Sequence, residues 1–303
     1  MKIGAYELLT PLRTAGSGSA RWAIGAYGLE RFFIKQFLSP VYPADEESPL
    51  GCKQRERCLR FEGQKQALYA ALSCVIGGTL VPVIDFFCFE GRYYAVSEAM
   101  PDSHITAEES ASLSEEERRT MLLELALCLQ RLHHQGVVHA DLKPEHVLLC
   151  RSTEGWRTRL IDLDSGFLTD DPPRQPREME GDPVYLSPEM FLCMTGREAP
   201  LGPKADTFAL GLMIHRIWTG QLPFFDRNVY DYAYQAALDG GEIRLSDQLP
   251  ADWRDTVSAM LCAEPEKRPE DVQITALFEK RPEAPGSRQG HVNGLSRFMR
   301  PGS

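Results

Sequence analysis

The sequence predicts an α+β protein of two lobes, the first rich in strands and the second rich in helices. Three observations predict it. Up to about residue 98 the apolar residues gather in short β-rich runs broken by Gly, Ser and Pro; from Ser112 onward they recur at helical spacing; and a short link near residues 98–104 separates the two regions. A chain of 303 residues, 43% hydrophobic and 25% charged, can bury one large core or two lobes with a cleft between them. The expected organisation is a first lobe over residues 1–98, a second over 99–280, and a flexible tail rich in Gly, Pro, Ser and Arg over 281–303.

The elements follow in order. From Tyr6 to about Leu38, YELLTPLRTAGSGSARWAIGAY and RFFIKQFL read as hairpins, with a Gly-Ser turn between apolar runs and a single lysine, Lys35, inside the last run. Residues 39–58 are Pro-rich and acidic, then basic, which reads as a surface insertion. A helix is expected over LRFEGQKQALYAAL, although Leu59, Phe61, Leu68 and Leu72 only partly keep helical spacing. Strands return before residue 98, with Glu90-Gly91 as a hairpin bend. The stretch SLSEEERRTMLLELALCLQRLHHQG then has an N-terminal Ser, an acidic first turn, an apolar stripe and a closing Gly, the marks of a capped helix.

Charge and composition exclude several classes of function. A formal net charge of −10 disfavours nucleic acid and anionic membrane surfaces, since both require a basic footprint. A small-molecule or protein ligand is expected instead. No run approaches the ~18 consecutive apolar residues of a membrane span, and the first residues lack a signal-peptide core, so a cytoplasmic protein is expected. The eight Cys are scattered without a CxxC pair, which indicates neither a zinc site nor a disulfide framework.

Residues 139–149 read HADLKPEHVLL, and Asp162-Leu163-Asp164 follows. Together with GSGSAR at 16–21, FFIK ending at Lys35, GDPVYLSPE at 181–189, DTFALG at 206–211 and EKRP at 266–269, these segments resemble the protein kinase family over about residues 6–280. The resemblance implies a two-lobed kinase fold and ATP-dependent phosphoryl transfer to a protein hydroxyl. Such transfer depends on positioning and charge compensation. By the same resemblance, Gly16 and Gly18 belong to the phosphate loop, Lys35 pairs with the α- and β-phosphates, and Asp162 holds Mg²⁺. Asp141 orients the acceptor hydroxyl and takes its proton, and Lys143 faces the transferring group, as in serine/threonine kinases. The backbones of Glu98 and Met100 receive adenine, with the small Ser97 at the rear of the pocket. His139, Asp206 and the Glu189–Arg268 pair are read as architectural, and His133 and His134 as helix-end residues.

The pattern also breaks in several places. The family's helix glutamate, partner of the strand lysine, aligns best with Gln64; Glu62 is the alternative, and a rotation of about 200° between them lets only one face the cleft. Ala140 replaces the arginine that reads a phosphorylated activation loop, and between Asp170 and Tyr185 there is no Ser or Thr, so a segment set without phosphate is expected. Arg21 stands at the third loop glycine. Asp182 replaces a threonine and is placed to bind Lys143. His146 replaces the metal-binding asparagine and Asp164 the glycine after Asp162, so Asp164 is a candidate oxygen donor and Mn²⁺ a candidate ion beside Mg²⁺. Two readings therefore stand: an atypical serine/threonine kinase, or a pseudokinase that binds nucleotide and docks a regulatory protein partner. A small-molecule kinase fits IDLDSG but not YLSPE, DTFALG or KRP.

Overall fold

The computed structural model describes residues 1–14, 20–75, 77–101, 105–153 and 155–279. Gly16 and Gly18, residues 102–104 of the expected link and the expected tail lie outside the described residues. Seven of the described strands form one sheet: β1 (Lys2–Ile3), β2 (Tyr6–Leu8), β3 (Arg13–Thr14), β4 (Ala20–Tyr27), β5 (Glu30–Phe37), then, beyond helix α1 (Pro49–Leu72), β6 (Val83–Phe89) and β7 (Arg92–Glu98). Their order is β1-β2-β4-β5-β7-β6, with β3 paired to β4, and the pairs are antiparallel. The bend expected at Glu90-Gly91 joins β6 to β7, both residues having positive φ (48° and 73°) as a two-residue hairpin turn requires.

Side-chain alternation gives this sheet two apolar faces. Ile3, Tyr6, Phe32, Ile34, Tyr94 and Val96 pack on one. On the other, Phe37, Tyr93 and Ala95 pack against Cys58 of α1. That helix begins earlier than expected: residues 49–58, assigned from sequence to a surface insertion, form its first turns. Pro49 sits at the start of the helix, where its missing N–H costs nothing, and the Ser48 side chain accepts from Gly51 N–H. A proline that reads as a breaker from sequence acts here as an initiator.

The second half is helical, with short strands at its edge nearest the first sheet. β8 (Ile105–Thr106) leads to α2 (Glu115–His134), whose N-terminus carries a reciprocal Ser114–Glu117 capping box and which is followed by Gly136 at φ 70°. After β9 (Val137–Val138) come β10 (Val147–Ser152) and β11 (Gly155–Leu160), ordered β11-β10-β8, and β12 (Phe167–Leu168), which pairs with β9. The chain closes with α3 (Pro188–Met194), α4 (Lys204–Thr219), α5 (Ala233–Leu238), α6 (Ala251–Met260) and α7 (Asp271–Glu279). α4 is apolar nearly all round because it runs through the core, buried from Ala205 to His215. Leu80 and Val81 bridge to Leu160, tying the two halves together. The result is the expected two-lobed arrangement of a strand-rich sheet and a helical body. Among the described residues no helix is long and apolar enough to cross a membrane.

Candidate active site

Lys35 lies in the central strand β5, paired with Trp22 on one side and Ala95 on the other. Alternation puts its side chain on the face that α1 covers. Its Nζ meets both oxygens of Asp162 at 2.9 Å and Oδ2 of Asp164 at 2.5 Å. Burial alone would lower the Lys35 pKa, but the carboxylates of Asp164 and Asp162 outweigh it and hold the ammonium above its ordinary range. For Asp162, burial works to raise the pKa, yet the adjacent Lys35 ammonium prevails and brings it to about 2. Asp162 takes a left-handed backbone (φ 62°), a conformation that costs energy for a residue other than glycine.

The loop bearing Asp141 hangs from a buried carboxylate. Asp206, on α4 and 1% exposed, accepts from the backbone N–H of His139 at 2.7 Å and of Ala140 at 2.9 Å, as expected of an architectural residue. Ala140 is itself left-handed (φ 65°). His139 is buried, with Nε2 3.3 Å from the Ile161 carbonyl, which accords with an anchoring role. Glu189 and Arg268 form the expected pair through two parallel hydrogen bonds of 2.7 and 2.8 Å.

Asp141 is held from two sides: Oδ1 accepts from Asp182 N–H at 2.8 Å and Oδ2 from Lys143 Nζ at 2.9 Å. The Asp182 side chain does not reach Lys143 as expected; its Oδ1 accepts from Val184 N–H at 2.9 Å, so the loop is set by the Asp182 backbone. His146 Nδ1 lies 2.8 Å from the Asp141 carbonyl, and its Nε2 lies 3.5 Å from Asp162 Oδ2. A carbonyl can only accept, so Nδ1 carries the proton. Burial lowers the His146 pKa, so the ring is neutral near pH 7 and Nε2 presents its lone pair toward Asp162.

Ser97 shares the Lys35 face of β7, opposite Phe33 and Val83; Glu98 ends that strand, and Met100 follows, half-buried. Arg21 is exposed on β4, between Thr14 and Gln36.

Two expectations about α1 fail. Gln64 does not face Lys35; its Nε2 donates to Asp171 at 3.4 Å. Glu62 accepts instead from the Tyr93 hydroxyl at 3.2 Å. The residue turned toward the cleft is Lys65, 7% exposed, whose Nζ donates to the Asp164 carbonyl. A signal for it exists in the sequence, since Cys58, Lys65 and Leu72 stand seven apart with Leu68 between, a single helix face. His133 is likewise more than a helix end. Its ring bridges Asp206 (3.0 Å) and Asp271 (2.8 Å) beneath the loop that bears Asp141.

Lys35 on Asp162 and Lys143 on Asp141 are two lysine–carboxylate pairs joined through His146, which lies 3.5 Å from Asp162 and 3.7 Å from Asp141, an arrangement compatible with phosphoryl transfer. Comparison with known proteins agrees. A model of the protein kinase domain matches residues 69–278. The hormonally up-regulated neu tumor-associated kinase of Mus musculus is 30% identical over 225 residues, 72% of this chain and 29% of its own length. The serine/threonine-protein kinase SMU1 of Mycosarcoma maydis is 30% identical over 210 residues, 68% of this chain and 27% of its own. The PknI kinase domain of Mycobacterium tuberculosis superposes with a TM-score of 0.60 at 17% identity, over 92% of this chain and 96% of that one, a likeness of fold. The chain belongs to the protein kinase family. It spans about three-tenths of the length of the curated relatives it matches first.

The family implies a nucleotide and a divalent cation. Among the described residues no group of three or more His, Cys, Asp or Glu forms a metal cage. Asp162 and His146 nevertheless suit a cation that draws its remaining ligands from phosphate and water, and a histidine whose other nitrogen donates to a carbonyl has the usual disposition of a metal ligand.

Proposed function

We propose that the protein transfers the γ-phosphoryl group of ATP to a serine or threonine hydroxyl of a protein. The observation that supports this reading is the pairing of Lys35 with Asp162 at 2.9 Å and of Lys143 with Asp141 at 2.9 Å, the two aspartates joined through His146. Lys35 binds the α- and β-phosphate oxygens. Asp141 aligns the acceptor hydroxyl and takes its proton; the hydroxyl oxygen bonds to the γ-phosphorus, the bond to the bridging oxygen breaks, and ADP leaves. Lys143, already 2.9 Å from Asp141, offsets the charge on the transferring group. A bound Mg²⁺ or Mn²⁺ would supply charge neutralisation to the phosphates, held by Asp162 and His146. Glu98 and Met100 offer backbone groups to adenine, and Gly16 and Gly18 backbone N–H groups to phosphate.

One observation favours the second reading, a pseudokinase acting as a docking scaffold: α1 turns Lys65 inward, onto the Asp164 carbonyl, where the protein kinase family has a glutamate. Labelled ATP with a general protein substrate separates the two. Transfer by the wild type that falls at least a hundredfold in Asp141→Asn supports the kinase; nucleotide binding with no transfer above that of Asp141→Asn supports the scaffold.

A further inference from the structure

Helix α1 has three polar side chains close enough to the cleft to matter, and two are engaged elsewhere. Glu62 is taken by Tyr93 and Gln66, and Gln64 by Asp171 at the outer edge. Lys65 occupies the inward stripe, and its ammonium, 5.8 Å over the rings of both Phe37 and Phe61, has the Asp164 carbonyl as its hydrogen-bond acceptor. The closest carboxylate to Lys35 is that of Asp164, at 2.5 Å against 2.9 Å for Asp162.

We infer that Asp164, on the segment after β11, is the carboxylate that positions Lys35, and that α1 is coupled to this pair indirectly, through the hold of Lys65 on the Asp164 backbone. Lys35 and Lys65 face Asp162 and Asp164 in this corner, where burial pushes the Lys65 pKa down and the nearby Asp164 carboxylate opposes that. A lysine on the inward stripe requires an added carboxylate nearby, since an uncompensated buried ammonium is costly. Asp164 supplies it without help from the helix. With Lys35 fixed between two carboxylates, Asp162 retains one oxygen face toward His146 while Asp164 Oδ2 is spent on the lysine. The role given to Asp164 here is therefore that of a positioning residue rather than an oxygen donor to metal. The functional meaning of the pair rests on the kinase reading above, but the pair itself does not.

The test has two arms. In the nucleotide-free protein, melting temperatures of Lys35→Met, Asp164→Asn and the double variant should be non-additive by about 2–4 °C, as for directly interacting side chains in a chain of this size. Additive shifts would overturn the pairing whether or not the protein binds ATP. In the second arm, ATP affinity is measured by calorimetry with Mg²⁺ and again in EDTA. Asp164→Asn should lose about tenfold in both conditions, the size of one charge-assisted hydrogen bond, with Asp164→Glu recovering most of it. Lys65→Met should weaken binding in the same two conditions and add little to Asp164→Asn. A loss confined to the Mg²⁺ condition would make Asp164 a metal ligand and refute the inference. Failure of every variant and the wild type to bind ATP would defeat the kinase reading and leave the first arm to decide the pair.

Discussion

Replacement of His133 by Gln removes a buried cation on which the catalytic loop rests. The side chain is 5% exposed and hydrogen-bonded to Asp206 at 3.0 Å and Asp271 at 2.8 Å. Burial by itself lowers the pKa of His133, but its hydrogen bonds to Asp206 and Asp271 outweigh burial and raise it to about 9. In the unfolded chain a histidine titrates near 6.5. Between those values the folded protein keeps a proton that the unfolded chain has released. Stability is therefore complete below about pH 6.5, falls by about 1.4 kcal/mol per pH unit above it, and has lost on the order of 3 kcal/mol once pH passes about 9. Gln can hydrogen-bond a carboxylate but brings no charge. By urea unfolding, His133→Gln should be less stable than wild type by roughly 3 kcal/mol near pH 6, with the gap closing toward pH 9.5. Taking the difference between the two proteins cancels the other groups that titrate in this range. Amide exchange at His139 and Ala140, whose N–H groups Asp206 accepts, should quicken in parallel. A gap that stays constant across the range would refute the charged state assigned to His133.

Three further outcomes are expected. Arg268→Met leaves Glu189 buried and unpaired and should cost about 3–5 kcal/mol in chemical unfolding, while adding Glu189→Leu should recover much of it; equal losses in single and double variants would contradict this. Phosphatase treatment should leave the transfer rate unchanged, because Ala140 cannot pair with phosphate and the Tyr185 hydroxyl is 3.0 Å from Arg216 in a residue 5% exposed; a large loss traced to Thr169 or Tyr185 would count against it. His146→Asn should shift metal preference toward Mg²⁺, and the unmodified protein should work better with Mn²⁺, since imidazole suits the softer ion; identical Mg²⁺ and Mn²⁺ titrations in both proteins would remove His146 from the metal set.

Much of this site is legible in one dimension because its parts are local. A strand with one lysine, a loop with fixed spacing and an aspartate after a strand each follow from short-range pattern, and order along the chain constrains the fold. The architectural reading of Asp206 and of the Glu189–Arg268 pair comes from the family resemblance of DTFALG, YLSPE and EKRP, and the buried hydrogen bonds of all three residues agree with it. The start of α1 was missed because proline gives the same local signal for a loop and for the first turn of a helix, and only the Ser48 cap decides between them.

The sequence alone determined the two-lobed architecture, the family resemblance and the identity of the residues available for chemistry, because periodicity and motif spacing are properties of neighbours in the chain. Which side chains meet was decided only by the tertiary structure. Rotation of α1 turned Lys65 inward and carried Gln64 to Asp171, and the roughly 100° between successive residues of a helix changes a partner without changing any propensity. His133 became a cation only when residues 73 and 138 positions away brought carboxylates to both its nitrogens. Charge state and pairing depend on burial and distance, and neither exists until the chain has folded.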